Sequence, residues 1–181
     1  MMEEILIAGF GGQGVMSMGQ LIAYAGMKEG KHVSWLPSYG PEQRGGTANC
    51  AVVVSGEQIG SPLVSQPTTA IVLNNPSFEK FEPIVKPGGL LIVNSSLISK
   101  TSKRTDIKIL NIKATDLAIE IGNTKVANMV LLGAFLEETG ILSDHSILEA
   151  LKKVLSSEKH SLLEINRQAL ELGRSLIELK I

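Results

Sequence analysis

Short apolar runs, separated by polar or glycine-rich segments, recur along most of the chain. They predict strands at residues 5–8, 33–36, 48–54, 69–73, 90–93 and 107–112. Short runs without strict alternation of apolar and polar residues are typical of strands that are covered on both faces. The pattern therefore predicts a sheet with other elements packed on each side.

Apolar residues at helical spacing occupy the remaining intervals. They predict helices at residues 15–28, near Phe78, and at 114–121, 125–138, 147–155 and 162–179. Strands that alternate with helices favour parallel pairing. We expect an α/β fold with three layers: a mostly parallel, Rossmann-like sheet with helices on both faces, followed by a helical C-terminal third. No linker or internal repeat interrupts the pattern, so residues 1–181 are expected to form one domain.

Two details of the helical third leave alternatives open. Ser146 and Glu149 form a capping-box pattern, and Ser143 is a competing N-cap for the same helix. The last predicted helix carries a broad apolar stripe. That stripe fits packing against the sheet, and it also fits a seam for a partner subunit.

Charge and hydropathy narrow the class of protein. The formal net charge is −1, and the basic residues are spread along the chain, so a nucleic-acid-binding surface is not expected. The longest apolar run, residues 126–136, is too short to cross a bilayer. The N-terminus is acidic and leads directly into a strand, unlike a signal peptide. We expect a cytoplasmic protein with no membrane contact.

Thiol and imidazole groups offer little chemistry. Cys50 is the single cysteine, which excludes an intramolecular disulfide and a cysteine-ligated iron–sulfur cluster held by this chain alone. Because Cys50 falls in a predicted strand, we interpret it as a buried, inert thiol. The three histidines are far apart and lack metal-ligand spacing. No metal site and no nucleophile–base pair is expected.

The segment GFGGQG, residues 9–14, follows the first predicted strand and opens the first helix. Gly9, Gly11 and Gly14 match the G-x-G-x-x-G pattern, in which glycines permit a tight turn, close approach of a diphosphate, and close helix packing. No acidic residue ends the second strand, where a dinucleotide-binding chain would hold a ribose. A phosphate-bearing ligand, a purely structural turn, and an NAD(P) or flavin site remain as alternatives.

A second glycine-rich segment, SYGPEQRGGTANC, joins the second and third predicted strands. Its proline and glycines can present Tyr39 and Arg44 in a defined loop, and Arg44 suits phosphate or carboxylate. A surface turn with a solvated arginine is the simpler interpretation. Glu42 is either a nearby acid or an ion-pair partner of Arg44. With no acid–base dyad in view, the residues predict a binding module and not a complete enzyme.

Together with the later segments VLNNPS, PGGLLIVNSS and NTKVANMVLLGAF, the two glycine-rich segments resemble the gamma subunit of 2-oxoacid:ferredoxin oxidoreductases. The resemblance implies a complex that decarboxylates a 2-oxoacid on thiamine diphosphate, reduces ferredoxin through iron–sulfur clusters and forms an acyl-coenzyme A. It places thiamine diphosphate, Mg and the clusters in thiamine-binding and ferredoxin-like partner chains.

The resemblance gives this chain a role in coenzyme A docking and assembly, with no catalytic residue of its own. The positions carried over are Gly9, Gly11, Gly12, Gln13, Gly14, Ser38, Tyr39, Gly40, Glu42, Arg44, Gly45 and Gly46. The second loop looks closer to 2-oxoglutarate or branched-chain types than to pyruvate types, and we favour 2-oxoglutarate. The alternatives are a free-standing Rossmann-like oxidoreductase that binds a nucleotide or flavin, and a structural role for the glycine turns.

Overall fold

The computed structural model describes residues 1–39 and 47–178. Within these residues six strands form one sheet in the order β2-β3-β1-β4-β5-β6. The strands are β1 (Met2–Phe10), β2 (His32–Tyr39), β3 (Thr47–Ser55), β4 (Thr69–Val72), β5 (Leu90–Asn94) and β6 (Lys108–Ile112). The first three are longer than the apolar runs, because their ends carry polar residues that still pair with neighbouring strands.

Helices fill the intervals that the apolar spacing predicts. They are α1 (Val15–Lys28), α2 (Asn75–Phe81), α3 (Ala114–Glu120), α4 (Ala127–Thr139), α5 (Asp144–Val154) and α6 (Leu163–Glu178), with 3₁₀ turns at Glu82–Ile84, Thr124–Val126 and Ser157–Leu162. The bounds of α1 coincide with the prediction. The helical C-terminal part and the presence of helices on both faces of the sheet are also confirmed.

Strand direction divides the sheet into two parts. The pairs β1/β4, β4/β5 and β5/β6 are parallel, whereas β3 is antiparallel to both of its neighbours, β2 and β1. The segment 40–46 that joins β2 to β3 is too short for a crossover helix, so these two strands pair as a hairpin. The sheet is mostly parallel, as expected.

The core divides into two clusters of unequal size. The larger lies between one face of the sheet and α1, α3, α4, α5 and α6, and it includes Ile5, Ile7 and Val52. The smaller lies on the opposite face under α2 and the turn after it, and it includes Leu6, Ala8 and Phe78. Helix α4 is buried almost all round, as expected for a helix between a sheet and other helices.

The apolar stripe of α6 packs on α4, not directly on the sheet as one interpretation had it. A Cβ added at Gly133 would overlap the Leu170 carbonyl oxygen, and one added at Gly173 would overlap the Val130 carbonyl oxygen. The absence of side chains at these two positions lets the helix backbones approach closely. The buried part of the stripe is therefore used within the chain.

Ser143, not Ser146, is the N-cap of α5: its Oγ accepts a hydrogen bond from the Ser146 N–H at 3.2 Å. The carboxylate of Glu29, at the end of α1, accepts hydrogen bonds from the Ser143 N–H at 2.7 Å and from its hydroxyl at 2.8 Å. Burial opposes ionisation of Glu29, but these bonds, with Ser146 and Lys31, outweigh it and lower its pKa to about 2.

Candidate functional site

The glycine turn follows β1, the strand at which the sheet changes from antiparallel to parallel pairing. Strand β1 has antiparallel β3 on one side and parallel β4 on the other. In open α/β sheets, ligands bind beyond the carboxyl ends of the parallel strands at such a position. Residues 11–14, between β1 and α1, occupy that position and are at least partly exposed.

Two glycines of the turn adopt backbone conformations that other residues rarely take. Gly12 has φ of 92° and Gly14 has φ of 79°. A Cβ added at Gly12 would meet nothing within 4 Å, so the space beside this residue is open. At Gly14 a Cβ would collide with the Asn128 side chain. Both positions favour glycine for their positive φ, and Gly14 also needs it for packing against Asn128.

The side chain of Gln13 closes the turn from within. Its Oε1 accepts a hydrogen bond from the Phe10 N–H at 2.6 Å, and its Nε2 donates to the Leu73 carbonyl oxygen at 3.4 Å. The Gln13 N–H also donates to the Phe10 carbonyl oxygen at 3.2 Å. The sequence placed Gln13 among the ligand contacts, and in the structure its side chain ties the turn to the end of β4.

No side chain in the described part of the chain caps the start of α1. Its N-cap residue is Gly14, which has no side-chain acceptor to offer. The first N–H groups of a helix lack intrahelical partners and carry partial positive charge. The turn and α1 together therefore form a place where an anionic oxygen would be stabilised.

The strand residues that flank the second glycine-rich segment lie beside the first. In the antiparallel register Ala48 pairs with Tyr39 on β2 and with Gly9 on β1, and Ser38 pairs with Asn49. Ser38 is exposed. The structure thus brings Gly9 and the backbone of Ser38 and Tyr39 to one edge, and Gly40, Glu42, Arg44, Gly45 and Gly46 lie outside the described residues.

Four asparagines gather at the same edge, and the sequence analysis did not identify them. Asn74 and Asn75 follow β4, Asn94 ends β5, and Asn128 begins α4. In each, one buried amide atom has no hydrogen-bond partner. The sequence carried a signal for part of this cluster, since carboxyl ends of adjacent parallel strands meet at one edge and the predicted strands at 69–73 and 90–93 are each followed by asparagine.

The buried position of the Cys50 thiol agrees with the sequence interpretation. Cys50 is fully buried in β3, and burial raises the pKa of its thiol to about 12. Within residues 1–39 and 47–178 no group of three or more acidic, histidine or cysteine side chains could hold a metal ion. In the same residues no helix is long and apolar enough to cross a bilayer.

Residues 4–176 match the family described as pyruvate ferredoxin/flavodoxin oxidoreductase. The chain belongs to that family. It is 41% identical over 172 residues to the ketoisovalerate oxidoreductase subunit VorA of Methanothermobacter marburgensis, covering 94% of this chain and 35% of VorA. It is 36% identical over 184 residues to the 2-oxoglutarate synthase subunit KorC of the same organism, covering 98% of this chain and 97% of KorC.

Solved structures of the family share the fold. The gamma subunit of a keto/oxoacid ferredoxin oxidoreductase from Geobacter sulfurreducens superposes with a TM-score of 0.83 at 28% identity, covering 98% of this chain and 99% of that one. A 2-oxoglutarate:ferredoxin oxidoreductase from Magnetococcus marinus, solved with 2-oxoglutarate, coenzyme A and succinyl-CoA bound, gives a TM-score of 0.89 at 24% identity. It covers 98% of this chain and 31% of that one, and it supports the fold alone.

The family members differ in how much lies on one polypeptide. This chain spans about a third of the length of VorA, whereas it matches nearly all of KorC. The same unit therefore occurs within longer chains and also as a chain of this size.

Proposed function

We propose that this chain, as one gamma-type domain over residues 1–181, is the gamma subunit of a thiamine-diphosphate-dependent 2-oxoacid:ferredoxin oxidoreductase. The observation that carries the proposal is the match to KorC, which extends over nearly the full length of both chains. In such a complex a 2-oxoacid and coenzyme A give an acyl-coenzyme A and CO₂, and the electrons pass to ferredoxin.

The proposal assigns the cofactors and the binding of coenzyme A to different subunits of the complex. As the family resemblance implies, thiamine diphosphate, Mg and the iron–sulfur clusters belong to thiamine-binding and ferredoxin-like partner subunits, and a single cysteine agrees with clusters held elsewhere. Bound there, thiamine diphosphate supplies the carbanion chemistry of decarboxylation. This chain supplies binding: its glycine turn and second loop dock coenzyme A and contact the partner near the reacting carbon.

Coenzyme A suits the exposed edge better than a nicotinamide dinucleotide does. The first N–H groups of α1 favour a phosphate oxygen, and β2 ends without an acidic residue that would bind a ribose. Arg44, carried by the second loop, would meet a further phosphate with paired N–H donors. The Magnetococcus relative with this fold was solved with coenzyme A bound.

Two substrates are candidates. The sequence of the second loop favours 2-oxoglutarate, and KorC belongs to a 2-oxoglutarate synthase. The higher identity to VorA, 41% against 36%, favours the branched-chain acid ketoisovalerate. Because the thiamine-binding subunits hold the reacting acid, the ratio of kcat/KM for the two acids in the assembled enzyme decides between them.

Anaerobic purification of a tagged chain from its native host tests the proposal. We expect partner chains that carry iron and thiamine diphosphate, and coenzyme A-dependent oxidation of one of the two acids. A chain that purifies alone, binds NAD(P) or flavin tightly and shows no such activity would replace the proposal with the free-standing oxidoreductase.

The Arg44→Ala variant tests the docking role within that complex. We expect the KM for coenzyme A to rise at least about tenfold, as for loss of a charge-assisted contact of about 1.4 kcal/mol or more. The KM for the 2-oxoacid should stay within about twofold. Lys159→Ala, at an exposed lysine on another segment, is the control. An unchanged KM for coenzyme A would contradict the role of Arg44.

A further inference from the structure

A groove of about 580 Å³ lies between the outer surfaces of α1 and α5. Tyr24 and Met27 of α1 line it, and they are 39% and 63% exposed. Because the two residues are three positions apart, their side chains lie on one face of the helix. Tyrosine and methionine are both enriched where protein surfaces meet, so this pair indicates a contact surface.

Lysines surround the apolar residues of the groove. Lys28, Lys152 and Lys153 line it together with a single carboxylate, Glu149, which lies 3.3 Å from the Lys28 ammonium and 2.7 Å from that of Lys152. The Lys153 ammonium lies 5.1 Å from the centre of the Tyr24 ring. Among residues 1–39 and 47–178 Lys153 takes part in no ion pair. The groove therefore carries an excess of two positive charges, on a chain whose formal net charge is −1.

The groove is separate from the edge at which coenzyme A is proposed to dock. Helix α1 begins at Val15, directly after the glycine turn, and ends at Lys28. At about 1.5 Å per residue, Met27 lies about 20 Å from Gly14 along the helix axis. A partner seated in the groove would leave the turn open.

Charge and shape select the occupant of the groove. A second copy of this chain, docked through the same groove, would place lysines against lysines, and like charges across an interface oppose binding. A bilayer surface is flat and does not enter a groove. A helix laid between two helices does enter one, and it presents carboxylates and an apolar residue on one face at spacings of three and four.

We propose that the groove between α1 and α5 binds an acidic, amphipathic helix of a partner subunit. Carboxylates of that helix pair with Lys28, Lys152 and Lys153, and an apolar side chain between them packs on Tyr24 and Met27. The inference rests on the proposed function, which supplies the partner subunits, and it adds an assembly surface distant from the coenzyme A edge.

Carbodiimide cross-linking of the copurified complex tests which molecule fills the groove. The reagent joins a lysine amine to a carboxylate only where the two are in contact, and mass spectrometry identifies both residues. We expect Lys152 or Lys153 to be joined to an aspartate or glutamate of a partner subunit. A cross-link at these lysines between two copies of this chain would overturn the inference in favour of self-association.

Acetylation by acetic anhydride measures whether the groove is covered. We expect Lys152 and Lys153 to react at least tenfold more slowly in the complex than in the separated full chain. Lys86 and Lys100, which are exposed and outside the groove lining, should change by less than twofold. Equal rates for the groove lysines in the two samples would overturn the inference.

The double variant Lys152→Glu with Lys153→Glu reverses the charge of the groove. We expect the apparent dissociation constant of this chain from the complex, followed on dilution, to rise at least tenfold at about 0.1 M salt and less at about 1 M, because salt screens surface charges. Lys86→Glu with Lys100→Glu is the matched control and should stay within twofold. Equal rises in the two double variants would overturn the inference.

Met27→Gln tests the apolar contact without a change of charge. Because Met27 is 63% exposed, the thermal midpoint of the chain should not change. We expect the dissociation constant from the complex to rise at least fivefold. Leu63→Gln, at a side chain that is 70% exposed outside the groove, is the control and should stay within twofold. A Met27→Gln variant with the wild-type constant would overturn the apolar part of the inference.

The outcomes separate this inference from the proposed function. If the complex oxidises a 2-oxoacid with coenzyme A while the groove lysines react as they do in the separated chain, the inference fails and the proposed function stands. If a partner without iron or thiamine diphosphate is cross-linked at Lys152 or Lys153, the inference stands and the proposed function fails. Binding of the chain to phosphatidylserine vesicles, lost when both lysines are reversed and with no cross-link to a partner, would assign the groove to a membrane and overturn the inference.

Discussion

Glycines in two regions, the turn before α1 and the crossing of α4 with α6, differ in the space around them. At the start of α4, Asn128 touches Gly14 of the turn that leads away from β1, and the adjacent Gly12 borders open space. Farther along, Gly133 meets the backbone of α6 with no room for a methyl group. Glycine at position 12 leaves open space at the carboxyl edge of the sheet. Glycine at position 133 lets the backbones of two helices pack closely.

Polar groups in the same two regions differ in how fully they are hydrogen-bonded. Near the helical side, the Glu29 carboxylate is bonded by Ser143 and by Lys31, which lies 3.1 Å away. At the carboxyl edge, the amides of Asn94 and Asn128 each keep an oxygen without a partner. A network with all partners in place stabilises a fold, whereas a buried polar atom without a partner costs stability. The comparison predicts that substitutions on the helical side and at the carboxyl edge will differ in their effects on stability and on ligand use.

Gly133→Ala should have the largest effect on stability. Its methyl group would overlap the Leu170 carbonyl oxygen, so α4 and α6 must move apart along their contact. Overpacking of this kind typically costs 1–3 kcal/mol, and a clash with backbone lies at the upper end, about 3 kcal/mol. The free energy of unfolding from urea titration measures it.

Gly60→Ala is the control for this substitution, since its Cβ would meet nothing within 4 Å. The control should change the free energy of unfolding by less than about 0.5 kcal/mol. Similar losses in the two variants would show that the close crossing of α4 and α6 has no special role in stability.

Gly12→Ala comes next, and it tests the open side of the comparison. A methyl group has space there, but the positive φ costs an alanine about 1–2 kcal/mol. Gly30→Ala is a matched control, because Gly30 has φ of 72° and equally open surroundings at the end of α1.

The two variants should lose similar stability in urea titration and differ in ligand use. We expect Gly12→Ala to raise the KM for coenzyme A in the assembled enzyme, since the methyl group occupies the approach to the turn. Gly30→Ala should leave that KM unchanged. A Gly12→Ala variant with normal KM would favour the purely structural interpretation of the turn.

Much of the fold was predictable because local pattern and tertiary structure agree. The apolar spacing from Val15 to Lys28 gives α1 its bounds, and the turn before it was evident from GFGGQG. The hairpin of β2 and β3 was not stated, although a connection of the length 40–46 implies it. Local patterns specify elements well, and pairing direction follows from the length of the connection.

The missed features depend on contacts between distant positions. Gly133 and Gly173 are separated by much of the helical third and meet only when α4 crosses α6. Asn74, Asn94 and Asn128 gather only once the strand order is known. Each lies in a segment that supported the family resemblance, so the residues were in view while their common location was not. Gln13 was identified from the sequence, but the hydrogen bonds by which its side chain braces the turn became evident only in the structure.

Glu29→Gln should have a smaller effect that depends on pH. The pKa of Glu29 is lowered to about 2 from an ordinary 4.5, so its stabilisation is fully present above pH 4.5. It is lost as the pH falls from 4.5 through 2. We expect the variant to lose about 1 kcal/mol at pH 7, a value reduced for partial solvent screening, and almost nothing near pH 2.

Urea titrations of wild type and Glu29→Gln across this pH range measure the difference. Glu57→Gln, at an exposed position, is the control and should differ from wild type by less than about 0.5 kcal/mol at pH 7. A Glu29→Gln difference that is the same at pH 7 and pH 2 would contradict the charged cap.

Asn128→Leu should have the smallest effect, although Asn128 is almost as buried as the core residues around it. Its Nδ2 makes one long hydrogen bond to the Gly14 carbonyl oxygen, at 3.4 Å, and its Oδ1 makes none. Replacing a poorly paired amide by an apolar group of similar shape removes a desolvation cost along with a weak bond. We expect the free energy of unfolding to change by less than about 0.5 kcal/mol. A loss of 2 kcal/mol or more in urea titration would show that the amides at the carboxyl edge hold the fold together, and the contrast with the α4–α6 crossing would disappear.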